Sequence, residues 1–250
     1  MCFRRFKTMF SFRQLKQRTF IFSRMQITYY GHSTFLVNSG SHKLLFDPFI
    51  TGNSKATQID ATKIECDAML ISHAHGDHSG DAVSIAKRTN ALVVGAYEVA
   101  VWAEKNGVER THGLNAGGFV NFHFGKLRAV AAQHSSSFPD GSYGGNPLGF
   151  ILEASGKTFY YAGDTALSME MQLIPRWHKL DFCFLPIGNN FTMGYEDACT
   201  AAEFVKCDTV VGMHFDTFPP IQIDHAKAIE FFQQRGKRLI LMAIGETIEL

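Results

Sequence analysis

No stretch of the 250 residues approaches the ~20 consecutive apolar side chains that a membrane-spanning helix needs, and the N-terminus lacks the apolar core of a secretory signal. A chain of this kind is expected to be cytoplasmic, with no transmembrane segment. Cysteine is sparse: Cys2, Cys66, Cys183, Cys199 and Cys207 form an odd, widely spaced set with no CxxC pair, which argues against a disulfide framework and against a thiolate zinc cluster. Cys183 and Cys199 stand in apolar surroundings and read as small buried hydrophobes. Basic residues are short everywhere but at the start. Residues 1–24 hold seven of the 24 lysines and arginines and no acid, which leaves 17 bases against 23 acids and a net charge near −6 for the rest. A body of that sign gives no support to nucleic-acid binding, which depends on basic surface. Low-complexity tracts and fixed-period repeats are absent as well.

With 46% hydrophobic side chains the chain can bury a full core. The basic, aromatic segment 1–24 looks foreign to the rest of the chain, and the domain is expected to span residues 25–250. Three readings of the extension compete: an upstream start with Met25 as the functional one, a transit-type peptide that would direct the protein to an organelle, or a basic arm. The first is preferred.

From Met25 onward short β-type runs alternate with helical ones. Strands are expected at 26–30, 34–37, 43–46, 68–71, 92–94, 120–124, 127–132, 148–153, 158–161, 182–185, 209–213 and 238–242, and helices at 79–88, 97–106, 196–205 and 225–235. Two β-rich halves, each carrying helices, predict two sheets packed face to face with helices outside, a four-layer αββα sandwich of the α/β (α+β) class, rather than a doubly wound parallel sheet.

The strongest chemical signal is His73-Ala74-His75-Gly76-Asp77-His78, placed between the apolar run 69–71 and a helix start. Four potential donors leave one tight turn, and imidazole with carboxylate suits zinc, manganese, iron or nickel. A two-metal site needs further donors, and isolated ones recur at later strand ends: His134, Asp164 in Ala162-Gly163-Asp164-Thr165, and His214. Each alone is weak, since a lone histidine beside a strand is commonly a packing residue and an aspartate after glycine a turn former. Together they form a set. His42, His112, His123, His178 and His225 lack such a setting and are read as surface or packing residues.

The full match to His-x-His-x-Asp-His at 73–78 resembles the metallo-β-lactamase superfamily over nearly the whole chain from Met25. The resemblance implies two divalent metal ions on the edge of the αββα sandwich, one on His73, His75 and His134, the other on Asp77, His78 and His214, with Asp164 bridging. Asp47, in Leu45-Phe46-Asp47-Pro48, matches the superfamily's early aspartate and is expected to orient ligands from behind. The stretches 30–34, 188–194 and 214–219 are similar to the branch of metal-dependent hydrolases related to L-ascorbate-6-phosphate lactonase and, more distantly, to N-acylphosphatidylethanolamine phospholipase D. Asn190, Phe191 and Thr217 in these stretches are expected to contact substrate.

The implied chemistry is metal-assisted hydrolysis of a small ester, lactone or amide by a hydroxide held between two ions, with Asp77 in the catalytic centre. A phosphodiesterase of the phospholipase D type is the alternative among hydrolases. Diiron redox chemistry on this fold goes with a glutamate in place of His75 and a flavin domain, neither of which is present, and a non-enzymatic module goes with lost ligands, whereas all seven positions are intact. Zinc is the default ion for an imidazole-rich site, with manganese, iron or nickel as contenders. The partner is a small molecule, and a homo-oligomer is compatible with the sequence. His32 lies outside the seven positions and is expected to face the site as an oxyanion donor or general acid.

Overall fold

The computed structural model describes residues 25–250; the extension 1–24 lies outside the described residues. Fourteen strands form two seven-stranded sheets. The first half of the chain supplies β1 (Gln26–Gly31), β2 (Thr34–Asn38), β3 (Lys43–Phe46), β4 (Ala68–Leu70), β5 (Leu92–Ala96) and β6 (Thr111–Leu114), with α1 (Gly76–Ser79) and α2 (Ala82–Thr89) between β4 and β5 and α3 (Tyr97–Lys105) after β5. The second half supplies β7 (Phe119–Phe122), β8 (Gly125–Ala131), β9 (Leu148–Ala154), β10 (Lys157–Tyr161), β11 (Phe182–Pro186), α4 (Tyr195–Phe204), β12 (Thr209–Met213), α5 (His225–Gln234) and β13 (Arg238–Ile240), and β14 (Thr247–Glu249) then returns to the first sheet beside β1.

The two sheets share one plan. Three antiparallel pairings, from β14 to β3 or from β7 to β10, are followed by three parallel ones, from β3 to β6 or from β10 to β13. Parallel strands need crossover connections, and these carry the helices and the loops with His73 to His78, Asp164 and His214, whereas His134 stands in the antiparallel β8–β9 connection. The inner faces meet through aromatic rings: Phe35 on β2 lies 4.7 Å from Phe184 on β11, and Phe46 on β3 lies 4.7 Å from Tyr161 on β10. The expected αββα sandwich is the observed fold. No described helix is long and apolar enough to cross a membrane.

Differences from expectation have local causes. The helix expected over 79–88 is two helices, because Asp81 breaks the run: its backbone N–H donates to the Pro48 carbonyl, and its carboxylate accepts from the Ile50 and Thr51 amides, at 2.6 and 2.9 Å. Strands β6 and β14, and the 3-10 helix Met169–Arg176 with Pro175 inside it, are not among the expected elements. β14 has only three residues and is fixed by pairing with β1 rather than by its own pattern.

Candidate metal centre

The donor residues sit where strands end. The turn carrying His73 to His78 follows β4; His134 follows β8, Asp164 follows β10 and His214 follows β12. Backbone strain gathers in the same loops. His32, Asp47, His214 and Asp216 have φ of 56°, 41°, 55° and 60°, the left-handed region that side chains other than glycine, asparagine and aspartate rarely enter. Such conformations persist where the surroundings over-determine them, as they do at functional sites. At His32 the lock is visible: its carbonyl accepts from the His214 amide at 2.9 Å and from the Tyr29 hydroxyl at 3.1 Å.

The folding brings the seven donors together, six of them in two groups. His73, His75 and His134 each offer a donor atom within 4.8 Å of the others, and so do Asp77, His78, His214 and, in addition, His32. Asp164 lies between the groups. Its Oδ2 is 2.9 Å from His214 Nε2, 3.3 Å from His78 Nε2 and 3.6 Å from His134 Nε2. The side chains are thus grouped as the resemblance implies for two ions, and His32 lies with the second group.

Behind the donors, Asp47 is fully buried and anchors the turn. It accepts the Ser72 amide at 2.7 Å and the Ser72 hydroxyl at 2.6 Å, and it lies 2.8 Å from both the Tyr161 hydroxyl and His78 Nδ1. These contacts assign the tautomers. Ser72 spends its proton on Asp47, so its oxygen accepts from His73 Nδ1 at 3.0 Å and leaves His73 Nε2 unprotonated. His78 likewise gives its Nδ1 proton to Asp47, leaving Nε2 as a donor atom. Neither Ser72 nor Tyr161 stands out in the sequence. Ser72 directly precedes the histidine turn, which is the one available signal; Tyr161 has only an inner-face position on β10.

Electrostatics follow from burial and crowding. Burial pushes His78 down, but the carboxylates of Asp164 and Asp47 outweigh it and hold the ring well above its ordinary range. Burial pushes Asp164 up, yet His214 and His78 hold its carboxyl well below the usual carboxylate range. His73, fully buried among other imidazoles, is pushed well below its ordinary value, first by burial and then by His78. An anionic Asp164 surrounded by imidazoles suits a divalent cation, which would compete with the proton on His78 for these same lone pairs. The fit shows in unpaired atoms too: among the described residues His78 Nε2 and Asp164 Oδ1 are buried with no hydrogen-bond partner, which costs free energy unless an ion or water takes the place.

Residues 26–214 match the model of the β-lactamase superfamily domain. The chain belongs to the metallo-β-lactamase superfamily. Within that superfamily it is 51% identical over 226 residues to a UPF0173 metal-dependent hydrolase of Flavobacterium johnsoniae, covering 90% of this chain and all of that one. A UPF0173 metal-dependent hydrolase of Shouchella clausii is 45% identical over 232 residues, with the same coverage. Among solved structures, Igni18, a metallo hydrolase from Ignicoccus hospitalis, superposes with a TM-score of 0.82 at 33% identity, covering 91% of this chain and 99% of that one. This superfamily member is a metal-dependent hydrolase.

The substrate side is a cavity of about 460 Å³ lined by His75, Asp77, His134, Asp164, His214 and Ser135, with Phe191, Phe218 and Pro220 forming its apolar part. Phe191, expected to contact substrate, lines this cavity and is 55% exposed. Asn190 is exposed, and its amide N–H is tied to the Asn189 side chain at 2.7 Å. Thr217 is buried, its hydroxyl oxygen is 2.9 Å from His32 Nδ1, and it lines a different cavity of about 740 Å³ together with His32, Phe215 and Asp216. The oxyanion or acid role expected for His32 needs a free N–H toward the cavity, whereas its Nε2 is 3.2 Å from Asp77 Oδ2 and its Nδ1 is on Thr217. Of the histidines read as packing residues, His178 bonds Glu153 at 2.8 Å, His225 bonds Asp216 at 2.6 Å and His42 stacks edge-on with His123.

Proposed function

We propose that this hydrolase cleaves a small uncharged ester, lactone or amide in the cytoplasm and uses two divalent ions held by His73, His75 and His134 on one side, Asp77, His78 and His214 on the other, and Asp164 between. The observation that carries the reading is the cavity wall: five of the seven donors, His75, Asp77, His134, Asp164 and His214, on one side, Phe191, Phe218 and Pro220 on the other, and no lysine or arginine among the described lining residues. A phosphodiester or phosphate-bearing substrate is normally met by basic side chains. The resemblance of stretches 30–34, 188–194 and 214–219 to L-ascorbate-6-phosphate lactonase points to lactone chemistry, here on a substrate without that enzyme's phosphate.

Ions bound there, zinc by default and manganese, iron or nickel as alternatives, would acidify a water toward neutral pH and polarise the acyl oxygen. The chain's own residues do the rest. Asp47, through Ser72 and His78, keeps two imidazoles in the tautomer that presents Nε2. Asp77, whose side chain keeps 28% of its surface exposed, borders the cavity, and His32 and His78 outweigh its burial and hold it well below the usual carboxylate range, so it stays anionic as a ligand. Phe191 and Phe218 pack the apolar part of the substrate and exclude bulk water.

The test is a panel of neutral lactones and chromogenic esters against chromogenic phosphodiesters, run on full-length protein with and without a chelator. Ester or lactone turnover that stops on chelation and returns with added metal is expected. Faster phosphodiester turnover would replace the proposal with the phospholipase D-type reading, and turnover indifferent to chelation would remove it.

A further inference from the structure

His32 is 1% exposed, held at φ 56°, and packed 4.1 Å from the His214 ring and 5.4 Å from the His78 ring. Its orientation is set by one residue. The Thr217 hydroxyl donates to the carbonyl of buried Phe215 at 3.4 Å, so its oxygen accepts from His32 Nδ1 at 2.9 Å. The opposite assignment, with Thr217 donating to His32, would leave the Phe215 carbonyl without that donor, a penalty for a buried polar group. With the proton on Nδ1, the Nε2 lone pair faces Asp77 Oδ2 at 3.2 Å. Two acceptors then meet with no proton between them, an arrangement that repels unless a cation sits beside both. His32, Asp77, His78 and His214 have donor atoms all within 4.8 Å of one another, so one cation can reach all four.

Building on the reading of this site as a metal centre, we propose that His32 Nε2 is itself a metal ligand. It joins Asp77, His78, His214 and Asp164 around the second ion, with Thr217 as the positioning residue that fixes its tautomer. Five protein donors exceed the four of a tetrahedral zinc site and suit ions that accept five or six ligands. The second position is thereby tilted toward manganese, iron or nickel, while the three-histidine group keeps the donor set that zinc favours.

The experiment titrates metal-stripped full-length protein with cobalt(II), following absorbance and bound metal, and then dialyses it against a manganese and zinc mixture. The variant is His32→Gly, since glycine accepts a positive φ without strain. Expected for His32→Gly are unchanged first-ion binding, second-ion affinity lower by roughly tenfold or more, as loss of even an outer-sphere partner can produce, stronger absorbance typical of fewer ligands, and a higher zinc-to-manganese ratio. Added imidazole should reverse these changes. Thr217→Val, which leaves residue 32 in place, should weaken the same ion, and it carries the test if His32→Gly fails to fold. Wild-type affinity for both ions with an unchanged spectrum in these variants would overturn the proposal, as would His32→Gln behaving like wild type, because glutamine keeps the N–H donor of the opposite tautomer. Wild-type protein that binds no cobalt would bring down the metal-centre reading itself.

Discussion

Asp47 gathers contacts from Ser72, Tyr161 and His78 on one buried carboxylate and passes its orientation to His73 through Ser72. Removing its charge while keeping its shape should weaken the donors without dismantling the sandwich. For Asp47→Asn we expect metal affinity to fall roughly 10–100-fold, the usual cost of losing an outer-sphere partner, with the circular dichroism spectrum retained; competition with a chromophoric chelator reads the affinity, and an unaltered value would contradict the role. At this scale the sequence is informative where a residue has few other uses. A histidine or aspartate directly after an apolar strand invites a chemical reading, which makes the seven donors and Asp47 legible. Ser72 and Tyr161 look like ordinary turn and core residues, and only the fold places their hydroxyls on Asp47. Thr217, expected to contact substrate, also holds His32 through its hydroxyl, and sequence proximity to His214 does not foretell that hydrogen bond.

Among the elements, the strand-end loops hold the site at close quarters. Gly188, just beyond β11, runs against the backbone of His214, and a Cβ there would collide with the His214 carbonyl oxygen and press on Ile221. Close approach, and not φ freedom, is what requires glycine here. Gly188→Ala should displace His214 and loosen the second donor group, lowering the melting temperature by several degrees, as expected for about 1–3 kcal/mol of overpacking in a domain of this size, and reducing bound metal. A variant with wild-type melting and metal content would show that the loop yields freely. Strands and helices with strong periodicity are legible in the sequence: β2, β3, β9, β12, α3 and α4 lie within a residue or two of expectation. The single helix expected over 79–88 is wrong because the pattern continues across Gly80-Asp81, while the break depends on Asp81 bonding the distant amides of Ile50 and Thr51.

The whole molecule repeats one pairing plan in two sheets, yet no repeat is visible in the sequence, because what recurs is backbone pairing and not side-chain identity. The assignment of strands to two facing sheets is legible from their order, and β14 is not, since its place beside β1 is a long-range pairing of three residues. Met25 is 1% exposed, and its carbonyl accepts the Leu250 amide at 3.1 Å, which ties residue 25 to the pairing of β1 with β14. A chain starting at Met25 should match the full-length protein in melting temperature and activity; insoluble protein on truncation would show that residues 1–24 support the domain.

The central claim, two metal ions shared across Asp164, is tested most directly by counting metal per chain in matched preparations of wild type and Asp164→Ala. Asp164 Oδ2 stands 2.9 Å from His214 Nε2 and 3.6 Å from His134 Nε2, and no other described carboxylate lies within ion-pair distance of histidines in both groups. Without it, two cations would sit close together with no shared anion. Elemental analysis should give about two ions per wild-type chain and about one per Asp164→Ala chain, with the variant folded and inactive. An Asp164→Ala protein that keeps wild-type metal content and turnover would contradict the account.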